Sequence, residues 1–283
     1  MAGASMKDIK LRIKSVQSTM QITKAMELVA SSKLRKAKLR QESCRPYHEE
    51  LKRALLEIEA STNDFSSVYQ QRREVRKTCM IVIAGDRGLA GGYNSNIFKA
   101  VSELGSREEL CILPIGKRAV EFFTRHGYEV LSSSFMEAAT ISVADCFSIS
   151  EMLTQGYRDG QFDCVKVLYT KLVSLLSQVP DTMELLPLAA GEEKPAPAVR
   201  ELVLYEPGAD AVYNAIVPNY IAGMLYGAMC ESVASELAAR RTAMDAASKN
   251  AAEMIDDLSL RYNRARQGAI TQEITEIVAG AEQ

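Results

Sequence analysis

The sequence contains no uninterrupted apolar run near the ~18 residues that span a bilayer, so no membrane-crossing helix is expected. It has two histidines, His48 and His126. Its six cysteines (Cys44, Cys79, Cys111, Cys146, Cys164 and Cys230) are scattered and include no C-x-x-C pair. A zinc site is therefore not expected, and the thiols read as buried, inert groups in a reducing compartment. Neither sign of charge dominates: the formal net charge is −2, so the composition does not argue for a polyanion-binding protein. The opening MAGASMKDIKLRIKS lacks the apolar core and cleavage site of a secretory signal, and secretion is not expected. Glycine is absent from residues 5–60, and proline occurs there once, as Pro46. What is present is ordinary for a folded protein: 283 residues, 47% apolar and 25% charged, enough for one large domain or two modest ones.

Residues 5–60 carry a heptad-like stripe: Met6, Ile9, Ile13, Val16, Met20, Thr23, Glu27, Ala30, Leu34 and Ala37. It continues less regularly through Cys44, Leu51, Leu55 and Ile58. Steps of three then four residues are the period of a seam facing one partner helix. At ~1.5 Å per residue the helix would be about 80 Å long, too long to be buried in a small globule, with a bend expected at Pro46. The period returns over residues 210–280. There the seam is Cys230, Val233, Leu237, Arg240, Met244, Ala247, Ala251, Met254 and Leu258, drifting to Tyr262, Ala265 and Ala269. Pro218 is expected to mark a bend or the start of the straight part. Alanines 234, 238, 239, 243, 246, 247, 251 and 252 keep this helix thin. Paired within one chain, the two helices run antiparallel, with a left-handed supercoil. The second is the longer, so its end, with Ile270, Ile274, Ile277 and Val278, outruns its partner and needs a socket on another protein.

Between them the period shortens. Apolar runs at residues 79–84, 110–115 and 164–169 read as buried strands, with helices expected over 95–104, 117–125 and 148–158. Strands alternating with helices argue for a mostly parallel sheet. Two further strands are expected over 183–188 and 201–205, separated by a polar surface loop at 191–197. The fold class is thus α/β: a long antiparallel two-helix coiled coil from both termini (1–60 and 210–283) plus a central Rossmann-like domain (75–206) with a mostly parallel sheet.

No catalytic constellation is legible. The glycine-rich turn has glycines at 85, 88, 91 and 92, which fits neither the dinucleotide fingerprint nor a P-loop. Ser132, Ser133 and Ser134 have no histidine spaced to activate them. Two rival readings remain. A cofactor-binding oxidoreductase built on the α/β segment predicts activity by the isolated chain. A basic helical scaffold predicts steeply salt-dependent nucleic-acid binding and leaves the isoleucine-rich end unexplained.

Three separated motifs then carry a resemblance. Ile22-Thr23-Lys24-Ala25-Met26-Glu27-Leu28-Val29-Ala30, preceded by Ser15-Val16-Gln17-Ser18-Thr19, is similar to the amino-terminal signature of F-type ATP synthase gamma subunits. Asp86-Arg87-Gly88-Leu89-Ala90-Gly91-Gly92 resembles that family's turn after the first strand, with Ala90 where cysteine is common. Tyr262-Asn263-Arg264-Ala265-Arg266-Gln267-Gly268-Ala269-Ile270-Thr271-Gln272-Glu273-Ile274-Thr275-Glu276-Ile277-Val278 resembles its carboxyl-terminal signature. The match covers essentially the whole chain in the family's order.

The resemblance implies a non-catalytic rotor without a cofactor, of bacterial type, peripheral on the cytoplasmic face of the inner membrane. Its coiled coil would occupy the bore of an alpha/beta hexamer. Its domain would sit on a membrane ring of c subunits beside epsilon, coupling proton flow to catalysis in the beta subunits. No nucleic acid is implied, and contact with the membrane is only through the ring. The thiol-switch insertion of chloroplast members has no counterpart here. By the same resemblance Lys24 and Met26 lie nearest acidic loops of the beta subunits, although periodicity alone favours Met26 as core. Lys33, Arg35 and Lys36, in a basic stretch with Lys38, Arg40 and Arg45, pass the same loops, where attraction across ~10 Å is available at physiological salt. Arg266, Gln267 and Thr271 engage a beta-subunit loop near the bore through side chains suited to paired hydrogen bonds, with Ile274 and Ile277 beyond them. Arg240 and Arg241 are weaker candidates; Arg240 lies on the seam, where a charge needs a partner. Tyr205 and Glu206 fall where the foot meets the ring.

Overall fold

The computed structural model describes residues 6–61, 65–135, 137–188 and 203–281, with side chains to 277. Its elements are α1 (Met6–Glu59), β1 (Thr78–Ile83), α2 (Tyr93–Leu104), β2 (Leu110–Ile115), α3 (Lys117–Arg125), β3 (Glu129–Val130), α4 (Val143–Arg158), β4 (Cys164–Leu172), β5 (Gln178–Leu186) and α5 (Ala209–Ala281). Two compact units share the long helices. One comprises Met1–Ser31 with Arg240–Gln283; the other is Ser32–Ala239.

In the first unit α1 and α5 pair along the expected stripes. Ile9 and Ala30 are buried and Ile13, Val16, Met20, Thr23 and Glu27 half-buried, whereas Met6 is exposed. Thr23 Oγ1 lies 2.7 Å from Ser248 Oγ, a polar pair on the seam. On α5, Met244, Ala251 and Leu258 are buried, but Met254 is exposed and Ile255 takes its place. The expected three-residue step from Ala251 fails because an α-helix turns in 3.6 residues, so a strict 3.5-residue pattern drifts off the seam.

In the second unit the strand order is β3-β2-β1-β4-β5. Neighbours are parallel except β5, which pairs antiparallel with β4 at one edge. Alternation sorts β1: Ile81 and Ile83 face a core made with Leu55 and Ile58 of α1, Ile149 and Leu153 of α4, and Val217, Ile221 and Leu225 of α5. Met80 and Val82 face Ile97 and Val101 of α2 and Ala119 and Phe123 of α3. The sheet thus has helices on both sides, the requirement for burying parallel strands. Leu34 of α1 packs with Ala234, Leu237 and Ala238 of α5 within this unit. A Cβ on Gly223 would stand 3.2 Å from the Tyr47 ring, so the helices approach closely there.

Two expectations are corrected. Residues 203–205 form no strand; Val203 and Leu204 are both exposed instead of alternating, and 201–202 lie outside the described residues, as does the 191–197 loop. The strand expected from 183 begins at Gln178 and contains Pro180, which is tolerated at a sheet edge. α5 begins at Ala209, where the returning period placed it, and runs through Pro218, because Tyr213, Val217 and Ile221 at four-residue spacing are buried in the core and hold the turn that the proline weakens. Pro46 likewise lies inside α1.

Gly116, between β2 and α3, has φ +95, and a Cβ there would stand 2.2 Å from the Ala84 carbonyl oxygen. Both the backbone and the space demand glycine. Gly116→Ala is expected to destabilise the chain by about 2–3 kcal/mol, measured as a lowered midpoint in urea unfolding.

Candidate partner-binding surfaces

Lys24, Lys33, Arg35 and Lys36 are exposed on α1, and Met26 is half-buried on its seam side. Met26 therefore lies where periodicity placed it. Among the described residues none of these four cations forms an ion pair. The rest of the basic stretch is partly engaged: Arg40 Nε donates to the Tyr226 hydroxyl with its guanidinium 5.0 Å from that ring's centre, and Arg45 meets Glu49 at 2.8 Å. Lys24, Lys33, Arg35 and Lys36 are thus exposed cations without an ion pair among the described residues.

At the end of α5 the last seam residues, Tyr262, Ala265 and Ala269, are half-buried, and from 271 to 277 every side chain is exposed. Arg266, Ile270, Ile274 and Ile277 recur at helical spacing, which stacks them on one face. Gln267 and Thr271 adjoin that face; Thr271 Oγ1 donates to the Gln267 carbonyl at 2.9 Å, leaving the Gln267 amide free of that bond. The side chain of Val278 lies outside the described residues. Arg240 and Arg241 are half-buried.

A second apolar stripe escaped the sequence reading. Leu11, Ile22 and Val29 are each more than half exposed on α1. Spacings of eleven and seven residues, close to three and two whole turns, set them on one face, turned away from the buried seam of Ile9 and Ala30. Searching for a single seam hid it; testing each helix for two stripes would have found it.

The structure separates Tyr205 from Glu206: the ring packs on the domain core, while the carboxylate is exposed. The glycine-rich turn spends its polar groups on its own domain. Asp86 accepts from the amides of Ala138 at 2.8 Å, Ala139 at 3.3 Å and Lys117 at 3.4 Å. The Gly85 amide donates to Asn94 Oδ1 at 2.9 Å. Gly85 is required by packing, since a Cβ would stand 2.6 Å from Glu236 Oε1.

No described helix is long and apolar enough to cross a membrane, and no three His, Cys, Asp or Glu side chains among the described residues could hold a metal ion. Five of the cysteines are buried and Cys44 is half-buried. Cys79 and Cys111 are register neighbours on β1 and β2, where the Cys111 contact and burial push the Cys79 thiol up.

These observations define a class: a chain with a long two-helix pair and an α/β domain, whose charged, amide and isoleucine side chains are exposed on the helices. The sequence model described as ATP synthase matches residues 5–283. A gamma chain of ATP synthase from Ruminococcus albus is 45% identical over 285 residues, covering 97% of this chain and 96% of that one. A sodium-ion-specific gamma chain from Acetobacterium woodii is 42% identical, covering 98% of each. The chain belongs to the ATP synthase gamma chain family. Solved structures agree in fold: a chain of the Euglena gracilis mitochondrial ATP synthase has a TM-score of 0.67 at 17% identity, covering 98% of this chain and 93% of that one. One of the central stalk and c-ring of Tetrahymena thermophila has a TM-score of 0.60 at 24% identity, covering 80% and 99%.

Burial pushes the thiols of Cys146 and Cys230 up to about 12 and that of Cys164 up to about 11. A raised thiol stays protonated, and only the thiolate is a nucleophile. Alkylation of the native chain at pH 8 is expected to modify Cys44 and to spare Cys146, Cys164 and Cys230 until denaturant is added, as read by peptide mass mapping.

Proposed function

We propose that this chain is the rotating central stalk of a bacterial F-type ATP synthase. In this reading residues 1–60 and 210–283 form the shaft inside the alpha/beta hexamer, and residues 75–206 form the foot on the c ring beside epsilon. The chain has no catalytic site of its own. It stands at the cytoplasmic face of the inner membrane and reaches the bilayer only through the ring. Proton flow through the ring turns it, and its rotation drives the beta subunits through synthesis; hydrolysis drives it in reverse.

The observation that carries this reading is the end of α5, where Ile270, Ile274 and Ile277 share one exposed face beyond Ala269, the last half-buried seam residue, with Arg266 on the same face one turn earlier. An apolar face of this kind on a solvated helix gains free energy only when a socket covers it, at about 25 cal/mol per Å². Gln267, Arg266 and Thr271 supply directional bonds to a loop at the socket's mouth. Lys24, Lys33, Arg35 and Lys36 meet acidic loops of the beta subunits, with Met26 helping to shape the seam beneath them. The exposed stripe of Leu11, Ile22 and Val29 adds a second contact to the bore. Tyr205 and Glu206 lie at the ring, Tyr205 as a support and Glu206 as a contact.

Catalysis elsewhere responds to such a chain only if its contacts differ among the conformations of the catalytic subunits. Moving one site between strongly biased populations takes ~5.5 kcal/mol of differential affinity. Two unlike helices, one bearing cations and the other an Arg-Gln-Thr set, touch three similar neighbours differently at each angle and so supply that difference.

Mixed with purified alpha and beta subunits, the chain is expected to co-purify with the hexamer and yield an ATPase, although inactive alone. Failure to co-purify would sink the reading. Deletion of residues 270–283 is expected to weaken pull-down of the hexamer by at least tenfold, about 1.4 kcal/mol, while circular dichroism still reports a folded α/β domain.

A further inference from the structure

Between Asp210 and Ser235, polar groups join α5 to the domain in two stretches, 210–218 and 231–235. The Ser66 amide donates to Asp210 Oδ1 at 3.3 Å, Ser67 Oγ to Asn214 Oδ1 at 2.7 Å, and Ser150 Oγ to the Pro218 carbonyl at 2.5 Å. Further along, the helix crosses the carboxyl-terminal end of β4. There the Leu172 amide donates to Glu231 Oε1 at 3.2 Å and the Thr170 amide to Ser232 Oγ at 3.3 Å. Ser235 Oγ donates to the Thr170 carbonyl at 2.8 Å. Ser232 Oγ also lies 2.8 Å from the Tyr93 hydroxyl. Ser232 and Ser235 are fully buried, and burial pushes the Tyr93 phenol up, so it stays a neutral hydroxyl.

Packing alone does not explain this row of bonds. Alanine at 232 and 235 would fill a thin seam as well, and Ala234 and Ala238 close by on α5 do so against Leu34. The difference is directional. Apolar contact is roughly proportional to area and indifferent to rotation, so a helix packed only by apolar side chains can turn by a few degrees at small cost. Hydrogen bonds weaken steeply off axis, and a buried group that loses its partner costs its full desolvation. Glu231, Ser232 and Ser235 lie within one face of α5, and turning the helix about its axis strains their bonds together. α1 enters the same domain core with Leu55 and Ile58, apolar side chains whose contacts do not resist rotation in this way.

We propose that α5 is the helix through which the α/β domain carries torque. Glu231, Ser232 and Ser235, bonded to Tyr93 and to the backbone of β4, form the key that stops it turning about its own axis. The proposal rests on the central-stalk reading and names positioning residues within it. These residues touch neither the catalytic subunits nor the ring; they act by holding α5 at a fixed azimuth on the sheet.

The test uses the full complex reconstituted in vesicles, with ion uptake and ATP hydrolysis measured together against a rising opposing gradient. Tyr93→Phe with Ser232→Ala and Ser235→Ala removes both members of the buried hydroxyl pair, a replacement that folds more readily than an orphaned hydroxyl. Hydrolysis is expected to persist while ions moved per ATP fall several-fold under load. Glu231→Gln keeps an acceptor for the Leu172 amide and is expected to retain coupling, whereas Glu231→Ala loses it. This pair decides the matter if the triple variant does not assemble. Val101→Ala, a cavity in the opposite core, is expected to lower stability without changing ions per ATP. Undiminished ions per ATP in the triple variant, or an equal loss in Val101→Ala, overturns the proposal. A parent chain that couples nothing overturns the central-stalk reading and this inference with it.

Discussion

Between Ala228 and Ala239 every side chain of α5 except Glu231 and Val233 is buried, and the rest of the second unit is arranged around that fact. Leu34 of α1 covers one side of the helix. The end of β4 covers another through Thr170, and Ala90 and Tyr93 pack on Ala239. A helix covered from several directions has no room for large side chains on all of them, which accounts for Ala234, Ala238 and Ala239. Its own buried hydroxyls, Ser232 and Ser235, are paired within the domain, as buried polar groups usually are.

The same constraint explains the glycine-rich turn. The turn follows β1, runs past α5 and leads into α2. Gly85 leaves space for Glu236, Asp86 ties the turn to the amides of Lys117, Ala138 and Ala139, and Tyr93 reaches Ser232. A motif that looks at first like a phosphate cradle is a fitting between a sheet and a helix. Gly85 is required by the close approach of Glu236, and Asp86 is consumed in capping backbone amides.

Much of the fold was legible because its signals are local. Ile9, Ile13, Val16, Met20, Ala30 and Leu34 lie on the α1 seam as their spacing required, and the strands at 110–115 and 164–169 follow from short apolar runs. The failures have physical causes. Met254 left the seam because 3.6-residue turns outrun a heptad. The two-residue β3 is too short to carry a period, and the antiparallel β5 begins at a polar glutamine. Residues 203–205 have strand-like composition but pair with no described strand. Among the candidate contacts, the family resemblance pointed to Lys24, Arg266 and Gln267, and all three are exposed. The stripe of Leu11, Ile22 and Val29 was invisible while only one seam was sought.

Sequence alone determined that two long helices would pair, that an α/β domain would lie between them, and that the end of α5 would carry more apolar surface than its partner helix could cover. Periodicity and length suffice for that, because each is a property of consecutive residues. Only the tertiary structure decided which side of α5 meets β4, why Ser232 and Ser235 are hydroxyls, and why Gly85 has no side chain. Those choices answer to atoms contributed from distant parts of the chain, and hydrogen-bond geometry is set by their meeting in space.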